Sequence, residues 1–172
     1  MNTKRLTTCA MLIAINVVLS IATPIKLNNF KFTFEAFPIL IAGILFGPID
    51  GLLVGSLGST IYQIFFSGYG LMITTPVWIL PHAVSGLLVG IYAKVRDFNL
   101  SNKQTVFITI LSSLVVTALN TLAIYIDAKI NGYYTFAYVF GSIIFKIIAG
   151  VVLAIIYSLV ISQLVKRLPR DK

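Results

Sequence analysis

Residues 141–165 read GSIIFKIIAGVVLAIIYSLVISQLV and carry a single charge, Lys146. Such a stretch offers no polar face to water. It is long enough to cross a bilayer core of about 30 Å, which takes about 20 apolar residues. Runs of the same character recur along the chain, which is 58% hydrophobic and only 10% charged over 172 residues. Soluble domains carry roughly 25% charged residues, so this chain cannot cover a water-facing surface. Its apolar runs are continuous rather than alternating, which favours helices over a membrane β-barrel. The expected fold class is all-α and integral to the membrane.

Six spans are expected, at about 6–23, 36–47, 51–66, 76–95, 105–126 and 141–165, in one membrane domain covering 1–172. The second and third are short for a full crossing and need a tilt or the shelter of their neighbours. With six spans, Lys4, Arg5, Lys94, Arg96, Lys103, Lys166, Arg167, Arg170 and Lys172 share one side with both termini. The other side holds Lys26, Lys31 and Lys129. Basic residues mark cytoplasmic loops, so the expectation is a six-transmembrane-helix bundle with both termini cytoplasmic. Lys4-Arg5, an apolar run and Ser20-Ile21-Ala22 also have the outline of a cleavable leader. The first helix is nonetheless expected to be retained, because Ala10 and Ala14 give it a packing signature of its own.

The segment 37–59, FPILIAGILFGPIDGLLVGSLGS, sets glycines at 43, 47, 51 and 55. Membrane helices associate through close packing of small residues, so these glycines, with Gly58, Gly86 and Gly90, predict an intimate bundle. Pro48 disfavours helix at the residue before it, and residues 46–51 are expected to form a tight turn. Asp50 is expected to be a solvated or capping residue of that turn.

Several function classes fall away. Cys9 is the lone cysteine and His82 the lone histidine, so no disulfide, metal cluster or cofactor cage is expected. His82 and Ser85, three apart on a helix, are neighbours by default and do not make an enzyme. The net charge of +8 sits in loops flanking apolar spans, and no nucleic-acid partner is expected. A proton- or sodium-coupled carrier is the main rival, but such carriers bury carboxylates near mid-membrane. Glu35, Asp50, Asp97, Asp127 and Asp171 all fall in loops or at span ends. The chain also lacks a G-x-x-x-x-G-K-[ST] phosphate loop, so ATP-driven transport would need a partner.

Polar and aromatic groups on the sparsely charged side are the candidate ligand contacts. They are Lys26, Phe30, Lys31 and Glu35 in the first loop, Tyr62, Gln63 and Trp78 around the second, and Tyr133 in the third, with His82, Asn120 and Lys146 inside spans. Aromatic faces suit a conjugated ring, and lysines suit carboxylates. Each has a plainer role: the aromatics as an interfacial belt, and His82 and Asn120 as interhelical hydrogen-bonding groups. Lys146 has three readings, snorkelling to the surface, pairing with Glu35 or Asp127, or meeting an anionic ligand.

The Ala10-x-x-x-Ala14 pair, the segment 37–59 with its FGP-x-x-G-x-x-x-G core, and Asn120-Thr121-Leu122 together resemble the substrate-binding S components of energy-coupling factor (ECF) vitamin transporters. The resemblance covers the whole chain. It implies a small receptor in a prokaryotic plasma membrane, which captures a vitamin outside and associates with a coupling protein and two ATPase subunits. Ala10 and Ala14 would dock the coupling protein, and the receptor would topple in the membrane to release its ligand. The arrangement is most similar to the folate branch, although the loop SGYGLMITTPVW lacks the Tyr-Phe-Pro-Gly-Phe-Thr pattern of many folate members. Pantothenate and riboflavin stay open as ligands.

Overall fold

The computed structural model describes residues 3–22, 25–27 and 30–167. The elements in chain order are α1 (Thr3–Ala22), β1 (Ile25–Leu27), β2 (Phe30–Phe32), α2 (Ala36–Phe46), α3 (Pro48–Phe65), α4 (Thr75–Val95), α5 (Asn102–Ile130), α6 (Phe136–Phe140) and α7 (Ile143–Arg167). The first loop contains a small antiparallel hairpin, pairing Ile25 with Phe32, Lys26 with Lys31 and Leu27 with Phe30. Four helical stretches are long and apolar enough to cross a membrane: Thr3–Ala22, Thr75–Val95, Asn102–Ile130 and Phe136–Val165.

The turn expected at 46–51 shrinks to one residue. Pro48 opens α3 at a first-turn position, where a missing N–H costs nothing and its fixed φ suits a helix. Gly47 alone makes the corner, at φ 101°, a value that side-chain-bearing residues rarely adopt. Asp50 therefore lies inside the first turn of α3 and is fully buried, so the expectation of a solvated or capping residue is wrong. Its carboxylate accepts hydrogen bonds from Arg5 Nε at 3.0 Å and from Arg5 Nη2. The same Nη2 donates to the carbonyl of Phe46 at 2.6 Å, and the Cys9 thiol donates to Asp50 Oδ1 at 3.4 Å. This knot ties the start of α1 to the α2–α3 corner, at what we call the basic end of the bundle.

The other helix limits follow local chemistry. A capping box starts α5: Ser101 Oγ accepts from the Gln104 N–H, and Gln104 Oε1 accepts from the Ser101 N–H. The helix then runs to Ile130, past the expected end at 126. The last span, expected from 141, is preceded by a separate short helix. Thr135 caps α6 by accepting from the Tyr138 N–H at 3.2 Å, and the chain breaks at Gly141 and Ser142 before α7 begins.

The glycines do bring backbones together. A Cβ on Gly51 would sit 2.3 Å from the Gly86 carbonyl oxygen, and one on Gly86 would sit 2.0 Å from that of Gly51. Gly55 lies equally close to the His82 carbonyl, and Gly90 to the backbone of Pro48. Helices α3 and α4 thus touch main chain to main chain, the geometry small residues permit. Against them lies α2, whose eleven residues span only about 16 Å. Its Ile39 and Ala42 pack with Leu12 and Val54, while Leu40 and Ile44 pack with Val89, Ile108, Tyr157 and Ile161.

Candidate functional site

The end opposite the basic end carries the hairpin, the segment 66–74 and the region around α6. Here α1 contributes Asn16 and Ser20, one turn apart on a helix that is otherwise apolar along this face. Asn16 Nδ2 donates to the Glu35 carbonyl at 2.6 Å, and Ser20 Oγ donates to Glu35 Oε2 at 2.5 Å. His82 Nε2, on α4, lies 3.6 Å from Glu35 Oε1. Glu35, just before α2, is therefore gripped by α1 and faces α4. Tyr157 of α7 closes the same corner, donating to the Thr33 carbonyl at 3.0 Å and meeting Phe34 edge to face at 6.0 Å.

A second cluster surrounds Asp127, in the last turn of α5. Thr74 Oγ1 donates to its Oδ1 at 2.6 Å, Asn131 Nδ2 at 3.2 Å, and the Tyr133 hydroxyl to its Oδ2. Asp127 is buried, and these donors hold the segments flanking α4 and α6 against α5. Tyr133 is 44% exposed, yet partial desolvation of its phenol, reinforced by the bond to Asp127, raises its pKa above the ordinary range. It stays a neutral donor at physiological pH. Trp78 packs beside this cluster on Ile124, Ala128 and Val139.

Lys146 stands apart. It is 8% exposed, and its Nζ has no hydrogen-bond partner among the described residues. Burial overturns the snorkelling reading. Glu35 and Asp127 are engaged by other donors, and neither pairs with it. Ser142 Oγ, one turn earlier, is likewise buried without a partner. One turn later, Gly150 abuts Ser113 of α5, so this stripe of α7 faces α5. Since α5 and α7 run in opposite directions, Lys146 comes level with the turn bearing Asn120 and Thr121.

Of the expected contacts, then, the structure joins Glu35 to His82 and leaves Lys146 unfilled on the α5–α7 seam. Tyr62 and Gln63 lie half-buried in the last turn of α3, and Tyr133 and Trp78 serve the Asp127 cluster. Lys26, Phe30 and Lys31 occupy hairpin positions, but their side chains lie outside the described residues. Ala10 and Ala14 are exposed on α1 beside Met11 and Val18. Asn16, Ser20, Thr74 and Ser142 were not expected. Asn16 and Ser20 carried a legible signal, a polar pair at i and i+4 on an apolar helix. The acids at 50 and 127 are buried, yet both lie at helix ends and are satisfied locally, so they make no relay across the bundle.

The structure is a bundle of membrane-crossing helices with polar clusters around Glu35 and Asp127 at one end, and comparison with known proteins defines it further. Residues 4–161 match the family described as "ECF transporter, substrate-specific component", and the chain belongs to that family. It is a multi-pass membrane protein. A UPF0397 protein of Streptococcus pneumoniae (strain Hungary19A-6) is 36% identical over 91 residues, covering 52% of this chain and 47% of that protein. The chain thus spans about half the length of the curated relatives it matches. Among solved structures, the S component of a bacterial ECF transporter is 25% identical with a TM-score of 0.71, over 96% of this chain and 98% of that one. FolT bound with folic acid gives 20% identity and a TM-score of 0.68, covering 98% and 95% of the two chains. An S component for biotin gives 16% and 0.71, covering 99% and 97%. The last two establish the shared fold.

Proposed function

We propose that this chain is the vitamin-capturing S component of an ECF importer, with an acidic vitamin as its ligand and folate the first to test. The observation that carries the reading is Lys146 Nζ. An ammonium held out of water without a partner is costly in the apo protein, and a ligand carboxylate would remove that cost. Ser142, a second unfilled donor one turn away, supports an anionic acceptor at the same place. A neutral ring system such as riboflavin offers hydrogen-bond acceptors but no counter-charge for the ammonium. Folate is preferred over pantothenate on the resemblance of the whole chain to the folate branch.

In this reading the chain crosses a prokaryotic plasma membrane six times, with the basic end and both termini cytoplasmic. The opposite end opens outward, where Glu35, His82, Asn120, Tyr62, Gln63, Trp78, Tyr133 and the hairpin residues Lys26, Phe30 and Lys31 frame the ligand. Ala10 and Ala14 lie on the exposed face of α1 that would meet the coupling protein. Two ATPases drive that module, and toppling carries the ligand inward.

A thermal-shift panel of vitamins on the purified chain tests the reading, because a ligand that binds only the folded state stabilises it. Folate should raise the transition and riboflavin should not. Lys146→Ala should weaken folate binding by roughly 10- to 100-fold, the worth of a charge-assisted hydrogen bond. Unchanged affinity would remove Lys146 from the site. Concentrative uptake by the chain alone in liposomes would show an autonomous carrier instead.

A further inference from the structure

A cleft of about 370 Å³ opens on the outer flank of the bundle, lined by Ala118, Thr121, Leu122, Tyr125, Phe140 and Ile143. Its lining is almost wholly apolar. Ala118 is exposed and Leu122 is 46% exposed, so in a membrane the cleft faces lipid rather than the protein interior. It exists because the chain breaks at Gly141 and Ser142, which sets α6 off from α7 and leaves a notch beside α5.

One charge lies in line with the notch. Residues 118, 122, 125 and 129 follow the i, i+4, i+7, i+11 stripe of a single helix face. Lys129 Nζ lies 5.9 Å from the centroid of the Tyr125 ring, itself part of the lining, and 4.2 Å from that of Tyr134. The nearest carboxylate on this helix, Asp127, is turned inward and engaged by Thr74, Asn131 and Tyr133, and it does not pair with Lys129. Lys129 is thus an exposed cation held by two tyrosines, the residues typical of the level where headgroups meet hydrocarbon. From Ala118 to Lys129 is about 16 Å along the axis, roughly half the hydrocarbon core. That is the depth of one leaflet.

We infer that this cleft is a binding site for one anionic phospholipid, its acyl chain lying along Ala118, Leu122 and Tyr125 and its phosphate meeting Lys129. The groove supplies the apolar contact and the lysine supplies the choice of headgroup. Tyrosine rings on two sides keep the ammonium from folding away, so it presents its charge at a fixed place.

Trp78 provides the readout. It is the only tryptophan and packs in the same cluster as Tyr125 and Phe140, so brominated acyl chains seated in the cleft quench it. The full chain is reconstituted in phosphatidylcholine vesicles and titrated with dibrominated phosphatidylglycerol or dibrominated phosphatidylcholine. Phosphatidylglycerol should quench at about fivefold lower mole fraction, as one basic residue at a lipid surface provides. Lys129→Gln should erase that preference and Lys129→Arg should keep it. Ala118→Phe, which fills the notch from an exposed position, should reduce quenching by both lipids. Equal quenching by the two lipids in the unmodified chain overturns the proposal, and so does indifference to Ala118→Phe. Displacement of the brominated lipid by saturating folate would assign the cleft to the vitamin and also overturn it. The vitamin thermal-shift panel, run on the same Lys129 and Ala118 variants, should be unchanged, which separates this site from the reading of Lys146.

Discussion

The two ends of this bundle treat buried charge in opposite ways. At the basic end, Asp50 is fully buried and saturated by Arg5 and Cys9, with the Phe46 carbonyl drawn into the same knot. At the other end, Lys146 is almost as deeply buried and its Nζ has no hydrogen-bond partner among the described residues. Both sit near helix ends in apolar surroundings, so depth does not separate them. The satisfied charge closes a corner for good, while the unpaired one is, in the proposed reading, the group that a ligand carboxylate meets.

The sharpest way to break this contrast is to unmake the closed end. Arg5→Ala leaves Asp50 buried and unpaired, and the loss of a partner in a buried pair costs about 3–5 kcal/mol. The Arg5 side chain is 42% exposed, so the lower part of that range, about 3 kcal/mol, is expected in equilibrium unfolding, with ligand affinity little changed. Lys146→Met should do the reverse. Removing an uncompensated ammonium near a span end should stabilise the ligand-free protein by about 2 kcal/mol while weakening its binding of an acidic vitamin by the same roughly 10- to 100-fold expected of Lys146→Ala. Stabilisation without loss of binding would mean that Lys146 meets no ligand.

Tyr133→Phe removes one of several donors to Asp127 and should cost about 1 kcal/mol, since Tyr133 is partly exposed and Thr74 and Asn131 remain. The smallest effect is expected from pH. The phenol of Tyr133 is raised in the fold, so its contribution is complete below the ordinary phenol value of about 10 and is lost only as pH climbs through the higher folded value. A melting series from pH 6 to 9 should therefore show no step attributable to Tyr133. A step there that disappears in Tyr133→Phe would contradict the environment described.

How much of this was legible depended on whether the signal was local. Glycines four apart specify a smooth helix face and an intimate bundle, although which glycines meet, Gly51 with Gly86, is shown only by the fold. A lysine inside an apolar run announces itself, so Lys146 stood out from the start. The pairing of Arg5 with Asp50 did not, because nothing in a sequence says which acid meets which base 45 positions away. Pro48 points to a turn because proline stops helices, yet it also starts them, and in the fold the single glycine before it makes the corner. The same limit hid the grip of Ser20 on Glu35. The division between α6 and α7 was missed because Gly141 and Ser142 look unremarkable amid apolar neighbours.

The main-chain contact between Gly51 and Gly86 has a mechanical consequence. With carbonyls lodged where side chains would otherwise cushion the join, α3 and α4 cannot slide or twist past each other without collision, and α2 is keyed to the same slab. If the protein reorients in the bilayer as proposed, these three helices would move as one rigid plate, and any compliance would fall to the α5–α7 side, where the helix is interrupted at Gly141 and Ser142.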